Sequence, residues 1–306
     1  MPASQVLFGL GFATAFYTTL RFLRFIYLYT RPSSIKRYLY GHCPWALVTG
    51  ASDGIGLGIA QELATNGFNV ILHGRNPEKL ERTKSQLQGE FKNVQFKIAV
   101  LDISSATSCQ INELVASLDD LNLTVLVNNV GGGAKVQPLE KNTGEELDFT
   151  INVNARFPAQ LTKALLPKLS RPDGPTLIMN IGSLADSGVP YATVYGGSKA
   201  FNMAMSSSLA VEVKVEGKNI EVLAIPVGRV TDVAHSKEPS SFFTPTARTM
   251  ARACVDRVGC GRQVVTGYVG HAMQKFVIDL LPPIVFEILV VPTMKDRKDE
   301  EERKKL

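Results

Sequence analysis

The chain has 306 residues, a length that allows either one large α/β domain or two smaller ones. Hydrophobic residues make up 45% and charged residues 20%, which is typical of a globular protein and argues against extensive disorder. The net charge of +5 comes from interleaved basic and acidic residues, so the sequence does not predict a nucleic-acid-binding surface. The four cysteines form no Cys-x-x-Cys pair and have no histidine at metal-ligand spacing, which indicates neither a metal site nor a disulfide framework.

The N-terminal segment differs from the rest in composition. No charged side chain occurs between Met1 and Leu20, and Arg21, Arg24 and Arg31 follow. The apolar stretch is long enough to span a bilayer, and its positive charges come after it, which predicts an uncleaved membrane anchor over residues 1–31. Because positive flanks stay inside, we expect the remainder to face the cytosol. The alternative is a helix that packs on the core or lies on a surface.

The last four residues are Arg303, Lys304, Lys305 and Leu306. They resemble the dilysine-type retrieval signal of membrane proteins of the endoplasmic reticulum, so the sequence predicts that membrane as the location, with the catalytic domain facing the cytosol. A solvated charged tail is the alternative.

Apolar strands and amphipathic helices alternate from Trp45 to about Gly270, after a linker over residues 32–44. This pattern predicts a single domain, over residues 45–270, with a parallel sheet covered on both faces. The predicted strands are 46–49, 70–73, 94–101, 125–129, 176–181, 221–225 and a weaker 264–268; the predicted helices include 56–65, 78–90, 143–169 and 195–216. Residues 271–294 are apolar but interrupted by charges and prolines, which predicts a lid or membrane-contacting segment before a charged tail over 295–306.

A glycine turn with the spacing Gly-x-x-x-Gly-x-Gly follows the first predicted strand and precedes a helix. Glycines let the backbone approach a pyrophosphate, whose charge is met by amide donors and by the positive end of the helix. The turn therefore predicts a dinucleotide site formed by Gly50, Ser52, Gly54, Ile55 and Gly56. A tight turn without a ligand is the alternative.

Arg75 stands at the end of the second predicted strand, where an NAD site places a carboxylate on the ribose. Its guanidinium would bind a 2′-phosphate, which predicts NADP(H); the alternative is a solvated residue at a helix start. We expect Asp102 to face the adenine edge, and Asn128 and Asn129 to brace the fourth strand beside the adenosine ribose.

Tyr195 and Lys199 lie one helical turn apart on one face of a predicted helix. A free tyrosine has a pKa of about 10, and an ammonium roughly 4 Å away would favour the phenolate by about 4 kcal/mol at an effective dielectric of ~20. We therefore expect Lys199 to lower the pKa of Tyr195 toward the working pH. Ser183, after the fifth predicted strand, would hydrogen-bond the substrate oxygen. The three residues predict a proton-transfer site for interconverting a carbonyl and an alcohol beside a nicotinamide.

These motifs resemble those of the short-chain dehydrogenase/reductase family over about residues 45–270. The matching positions are Thr49 to Gly56, Asp102, Asn128 to Gly131, Asn154, Ser183, Tyr195, Lys199 and Pro226 to Thr231. The resemblance implies a seven-stranded, doubly wound Rossmann-type sheet and a homodimer or tetramer. It also implies that Asn154, with Asn152 as the fallback, bends its helix and holds a water linking the lysine to solvent, and that Thr231 meets the nicotinamide carboxamide.

Three positions depart from the family pattern: Val130 replaces an alanine, Val227 separates the usual Pro-Gly pair, and Arg229 replaces an apolar residue. Within the family, the chain resembles the membrane-bound very-long-chain 3-oxoacyl-CoA reductases and 17β-hydroxysteroid dehydrogenases. This implies a lipophilic ketone, such as a 3-oxoacyl thioester, a steroid or triterpenoid, or a specialised metabolite. A catalytically silent nicotinamide-binding membrane scaffold or sensor is the alternative. We expect residues 229–249 to line the substrate pocket, with Phe242 and Phe243 contacting the substrate or filling core.

Overall fold

A computed structural model describes residues 2–133, 135–170, 173–233 and 236–303. Six parallel strands form one sheet in the order β3-β2-β1-β4-β5-β6. The strands are β1 (Pro44–Thr49), β2 (Asn69–Gly74), β3 (Phe96–Val100), β4 (Asn122–Asn128), β5 (Thr176–Ile181) and β6 (Ile220–Ile225). The helices are α1 (Ala3–Thr30), α2 (Gly54–Thr65), α3 (Pro77–Glu90), α4 (Ser108–Ala116), α5 (Gly144–Ile151), α6 (Phe157–Leu169), α7 (Thr193–Val215), α8 (Ala247–Asp256), α9 (Val269–Leu280) and α10 (Pro283–Arg303).

The sheet is buried on both faces because its strands are apolar at successive positions. In β1, Ala46 and Val48 belong to a core cluster shared with α2 and α8, whereas Leu47 belongs to a second cluster shared with α4 and α6. Neighbouring residues of a strand point to opposite faces, so this division places helices on both sides of the sheet. The predicted doubly wound α/β fold is confirmed.

The seventh predicted strand is reduced to a single bridge between Val264 and Ala224. Ala224 N donates to Gln263 O at 2.8 Å, and Val265 N donates to Ala224 O at 3.0 Å. Pairing stops there because the next donor in the ladder would be the backbone N–H of residue 226, which is a proline and has none. The count of seven strands is therefore wrong by one for the described part of the chain.

The single helix predicted over residues 143–169 is interrupted by a π-helical turn at Asn152–Arg156, between α5 and α6. Pro158 explains the interruption, because a helix would need its missing N–H to bond the carbonyl of Asn154. Asn202 of α7 supplies the donor instead, with Nδ2 at 2.5 Å from Asn154 O. A proline and an asparagine from another helix thus set the position of the bulge.

The N-terminal helix α1 is apolar and long enough to cross a membrane. It contacts the domain at its C-terminal end, where Leu28 is buried and Arg257 donates to the Leu28 carbonyl. At the other end of the chain, the helix α10 continues through most of the predicted charged tail, as far as Arg303. Lys304 and Lys305, on which the retrieval-signal prediction depends, lie outside the described residues.

Candidate active site

Ser183 and Tyr195 meet at the carboxyl edge of the sheet. Ser183 follows the end of β5, and its Oγ accepts a hydrogen bond from Ala185 N at 3.1 Å. Tyr195 lies in the first turn of α7 and shares a hydrogen bond with the Ser183 side chain. The structure therefore brings together the hydroxyl and the phenol that the sequence predicts as partners.

Lys199 is one turn further along α7 and is buried, with 4% of its surface exposed. Its Nζ lies 5.8 Å from the centroid of the Tyr195 ring and 3.4 Å from the carbonyl oxygen of Ile181. Within the described ranges it forms no ion pair, and burial lowers the pKa of Lys199 to about 8. The ammonium is thus present at neutral pH and close to its titration range.

The expected lowering of the Tyr195 pKa is wrong for this structure. Burial raises the pKa of Tyr195, and the hydrogen bond with Ser183 opposes that rise only in part. The reason is geometric: the Lys199 ammonium lies beside the aromatic ring, not within a hydrogen-bond distance of the hydroxyl, while both groups are removed from water. The phenol consequently remains protonated at neutral pH, as a proton donor must be.

Asn154 connects the π-helical turn to the loop after β4. Its Nδ2 donates to Gly132 O at 2.7 Å, and its Oδ1 accepts from Gly132 N at 3.2 Å. A Cβ atom on Gly131 would lie 2.8 Å from Lys199 Nζ and 3.1 Å from Asn154 Oδ1, so these two groups border one small space. Asn152 points elsewhere and bonds the carbonyl of Ser104. The structure brings Asn154, and not Asn152, to the lysine.

A buried ladder of polar side chains supports this centre. Asn128 Nδ2 donates to Thr162 Oγ1 at 2.9 Å and to Asn180 Oδ1 at 2.8 Å, and Asn180 Nδ2 donates to Ser206 Oγ at 2.7 Å. Ser206 then bonds the carbonyl of Asn202, whose side chain holds Asn154. Asn128 is therefore a brace inside the fold, and its place beside the adenosine ribose stays a prediction. Sequence reasoning missed the rest of the ladder, although Asn180 is the one polar residue between Leu177 and Ile181.

The glycine turn is shaped for close approach of another group. Gly50 and Gly54 have φ angles of +66° and +55°, which favour glycine. A Cβ on Gly56 would lie 2.2 Å from Gly50 O, and Asn129 fastens the turn by donating from Nδ2 to Thr49 O at 2.9 Å. At the start of α2 the amides of Ile55 and Gly56 have no partner inside the helix and suit an anion. A nicotinamide dinucleotide fits these residues.

Asp53 is a part of the turn that sequence reasoning missed. Its Oδ1 accepts from Gly54 N at 2.7 Å, and its Oδ2 lies 2.7 Å from the ammonium of Lys79 in α3. The hydrogen bond from Lys79 keeps the pKa of Asp53 below its ordinary value, so this carboxylate is ionised at neutral pH. Ser52, between Ala51 and Asp53, is partly exposed on the same turn.

Arg75 and Asp102 follow the adjacent strands β2 and β3 at the same edge. Arg75 is exposed, and Asp102 accepts hydrogen bonds from the amide and hydroxyl of Ser104 at 3.0 and 2.8 Å. These bonds lower the pKa of Asp102, and the charge of Arg75 lowers it further. The two predicted adenosine-side residues therefore lie close enough to interact.

The segment after β6 is held by His271 of α9, another residue that sequence reasoning missed. Gly228 N donates to His271 Nδ1 at 3.1 Å, and His271 Nε2 lies 3.0 Å from Arg229 O. Thr231 is buried and donates its hydroxyl to the carbonyl of Glu238, so this contact would have to change before the hydroxyl met a carboxamide.

Phe242 and Phe243 are about half exposed and lie in a loop of the predicted pocket segment. Their ring centroids are 5.0 Å apart, and the Phe242 centroid is 6.2 Å from that of Tyr268. Their exposure argues against a role in filling the core and leaves apolar surface for a ligand.

Comparison with known proteins agrees with this geometry. A family model described as short chain dehydrogenase matches residues 44–241. The chain belongs to the short-chain dehydrogenase family. It is 32% identical over 291 residues to a very-long-chain 3-oxoacyl-CoA reductase of Kluyveromyces lactis, covering 90% of this chain and 83% of that protein. The family assignment identifies an oxidoreductase that acts on CH–OH or C=O groups with a nicotinamide cofactor.

Solved structures give the same result. A short chain dehydrogenase from Salmonella enterica is 26% identical, with a TM-score of 0.65 over 76% of this chain and 96% of that one. An alcohol dehydrogenase from Thermococcus sibiricus, complexed with 5-hydroxy-NADP, is also 26% identical, with a TM-score of 0.61 over 69% of this chain and 88% of that one. The similarity thus covers 69% or more of this chain and most of each solved structure.

We expect Gly56→Ala to weaken cofactor binding tenfold or more, because the added methyl group would collide with the Gly50 carbonyl and force the turn open. Gly89→Ala in α3 is the matched control, since a Cβ there meets nothing within 4 Å. Titration of both variants with the reduced cofactor, followed by fluorescence, measures the difference. Equal affinities for the two variants would show that the turn does not bind the cofactor.

Proposed function

We propose that this protein is an NADPH-dependent reductase of a ketone on a lipophilic substrate, with a 3-oxoacyl thioester as the first candidate. The observation that carries the proposal is the phenol of Tyr195, which bonds Ser183 and lies one turn from the buried ammonium of Lys199, at the edge of the sheet where the glycine turn lies. The name of the Kluyveromyces lactis relative supports the thioester. Steroid or triterpenoid ketones and specialised metabolites fit the same chemistry, as does the reverse dehydrogenation.

Each residue has one task in this proposal. When bound, the nicotinamide supplies a hydride to the carbonyl carbon. Tyr195 gives its proton to the carbonyl oxygen, and Ser183 holds that oxygen by a hydrogen bond. Lys199 stabilises the phenolate that remains and contacts the nicotinamide ribose, while Asn154 keeps a path for the returning proton. The raised pKa of Tyr195 keeps the proton that the reducing direction requires.

The preference for NADPH rests on Arg75. Its exposed guanidinium follows β2, where the chain offers no carboxylate to a ribose hydroxyl. Asp53, the acidic residue of the turn, forms an ion pair with Lys79. The ammonium offsets its charge, so Asp53 does not repel a 2′-phosphate. The complex of the Thermococcus sibiricus relative with an NADP derivative supports the same choice.

The proposed location of the protein in a membrane rests on the apolar helix α1. We place its apolar length in the membrane of the endoplasmic reticulum, with the catalytic domain in the cytosol, because Arg21, Arg24 and Arg31 stand on the domain side. A homodimer or tetramer, as in other members of the family, belongs to the proposal as well.

Tyr195→Phe tests the reaction. The variant keeps the ring but has no proton to donate, so we expect turnover to fall a hundredfold or more with NADPH affinity nearly unchanged. NADPH oxidation with a panel of lipophilic ketones gives the turnover, and a binding titration gives the affinity. Wild-type protein that binds NADPH but turns over no ketone would instead indicate the scaffold or sensor.

The pH profile tests Lys199. Its pKa of about 8 lies below the ordinary lysine value, so the ammonium is present below pH 8 and is lost as the pH rises through that value. We expect kcat/KM for ketone reduction to fall above about pH 8. In Lys199→Arg the guanidinium stays charged, so this fall should disappear although the maximum is lower. A fall at the same pH in both proteins would contradict the assignment.

Arg75→Asp tests the cofactor preference. The substitution removes the 2′-phosphate contact and adds a carboxylate able to bind a ribose hydroxyl, so we expect the ratio of kcat/KM for NADPH to that for NADH to fall at least tenfold. Arg82→Asp, at an exposed position of α3, makes the same charge change away from the strand end and should leave the ratio unaltered. An unchanged ratio in Arg75→Asp would exclude this residue as the phosphate ligand.

A further inference from the structure

The consecutive helices α9 and α10, here called the C-terminal helix pair, carry apolar side chains that face outward. The exposed apolar residues are Met273, Phe276, Val277 and Leu280 in α9, and Ile284, Ile288, Leu289 and Val291 in α10. In α9 they recur at spacings of three and four and form one apolar stripe, and in α10 Ile284, Ile288 and Val291 do the same, with Leu289 adding apolar surface outside that stripe. A helix on a soluble domain turns such a stripe toward the core, whereas these two stripes are unpartnered.

The far end of α10 is fixed to the loop after β4. Val136 N donates to Glu301 Oε2 at 3.0 Å, and the ammonium of Lys141 lies 3.3 Å from Glu302 Oε1. Lys298 Nζ is 6.0 Å from the centroid of Tyr191, four residues before the catalytic tyrosine. Polar contacts therefore hold the base of α10 against the loops that border the active site.

The start of α9 is fixed to the other side of the same opening. His271 bonds the backbone of Gly228 and Arg229, after β6. Asp186, three residues after Ser183, has its pKa raised by burial, and the charge of Lys275 in α9 opposes that rise. The C-terminal helix pair thus contacts three segments near Tyr195: the loop after β4, the loop between β5 and α7, and the segment after β6. Its exposed apolar residues lie between these contacts along the chain.

The N-terminal helix α1 meets the domain close to the start of the C-terminal helix pair. Tyr29 of α1 bonds Thr266, which is three residues before the start of α9, so both apolar elements leave the domain at neighbouring points. Arg21, the first charged residue of α1, is eight residues before Tyr29, or about 12 Å at 1.5 Å per residue. The twelve residues of α9 extend about 18 Å, which is more than that distance.

We propose that α1 crosses a bilayer and that the C-terminal helix pair inserts its apolar side chains into the near leaflet of that bilayer. The active site would then open toward the lipid. The bilayer is the occupant that matches a surface made of two stripes beside a candidate span. A lipophilic ketone would then enter between the attachments of α9 and α10 without passing through water. The entry route rests on the proposed function, but the membrane contact does not.

Quenching by brominated lipid tests the membrane contact. Full-length protein in phosphatidylcholine vesicles with dibrominated acyl chains would carry Phe276→Trp or Ile288→Trp, and the single native tryptophan, Trp45, is buried. We expect the bromines to quench the introduced tryptophan in both variants. Phe12→Trp in α1 is the positive control, and Val215→Trp, at a position 79% exposed on α7, is the negative control.

Two outcomes of this experiment would overturn the proposal. If the tryptophans at positions 276 and 288 remain unquenched while the one at position 12 is quenched, the C-terminal helix pair stays out of the bilayer. If these tryptophans remain unquenched by the bromines but become shielded from solvent as the protein concentration rises, the occupant of the surface is a second copy of the chain.

A kinetic comparison tests the entry route. Ile284→Asp combined with Ile288→Asp places two charges on the α10 stripe, and we expect at least a tenfold rise in KM for a long-chain 3-oxoacyl thioester supplied in vesicles. Activity with a short, water-soluble 3-oxoacyl thioester should stay within twofold of wild type. Val211→Asp combined with Val215→Asp, at exposed apolar positions of α7, is the matched control.

The two proposals fail in different ways. An equal loss of activity with the long-chain and the short thioester would show that the C-terminal helix pair supports the site without guiding the lipid. That result would overturn the entry route. Wild-type protein that reduces neither thioester would refute the proposed substrate, whereas the quenching result would still decide the membrane contact.

Discussion

The burial of the Lys199 ammonium, which has no ionic partner among the residues that the structure describes, is the constraint on which the rest of the site depends. Removing a charge from water is costly, and a lowered pKa is the expected response. The ammonium fits in this position because Gly131 has no side chain that would displace it. The side chain of Asn154 borders the same space. The site therefore holds a cation in a position where a phenolate formed at Tyr195 would be stabilised more than a neutral phenol.

This arrangement originates in a local conflict in the sequence. Pro158 removes one helical hydrogen bond, and the resulting bulge frees the carbonyl of Asn154, which Asn202 then binds. Asn202 is three residues after Lys199 on α7, so one helix carries both the cation and the brace of the bulge. The ladder through Ser206 and Asn180 extends this brace across the sheet. Rigid positioning of the lysine is thus a property of the core and not of the surface loops.

Local pattern was sufficient to predict the six strands of the sheet, the glycine turn and the meeting of Ser183 with Tyr195, although it also predicted a seventh strand that is only a single bridge. Alternation of apolar strands and helices determines a parallel sheet, and such sheets gather functional residues at the carboxyl edge. The direction of the Tyr195 pKa was not predictable, because charge proximity lowers it while burial raises it, and only coordinates show which effect is larger. Contacts between distant segments, such as Asp53 with Lys79 or His271 with Gly228, leave no periodic signal in a single sequence.

The apolar surfaces at both ends of the chain give the proposed chemistry its setting. A buried proton donor favours a reaction shielded from water, and a lipophilic ketone brings little water with it. The measurement that tests the central claim most directly uses full-length protein in vesicles, NADPH deuterated at C4 of the nicotinamide, and a long-chain 3-oxoacyl thioester. We predict a 3-hydroxyacyl product that carries one deuterium on the new carbinol carbon, detected by mass spectrometry and absent with Tyr195→Phe. NADPH binding without any transfer of deuterium, to this thioester or to the panel of lipophilic ketones, would contradict the account.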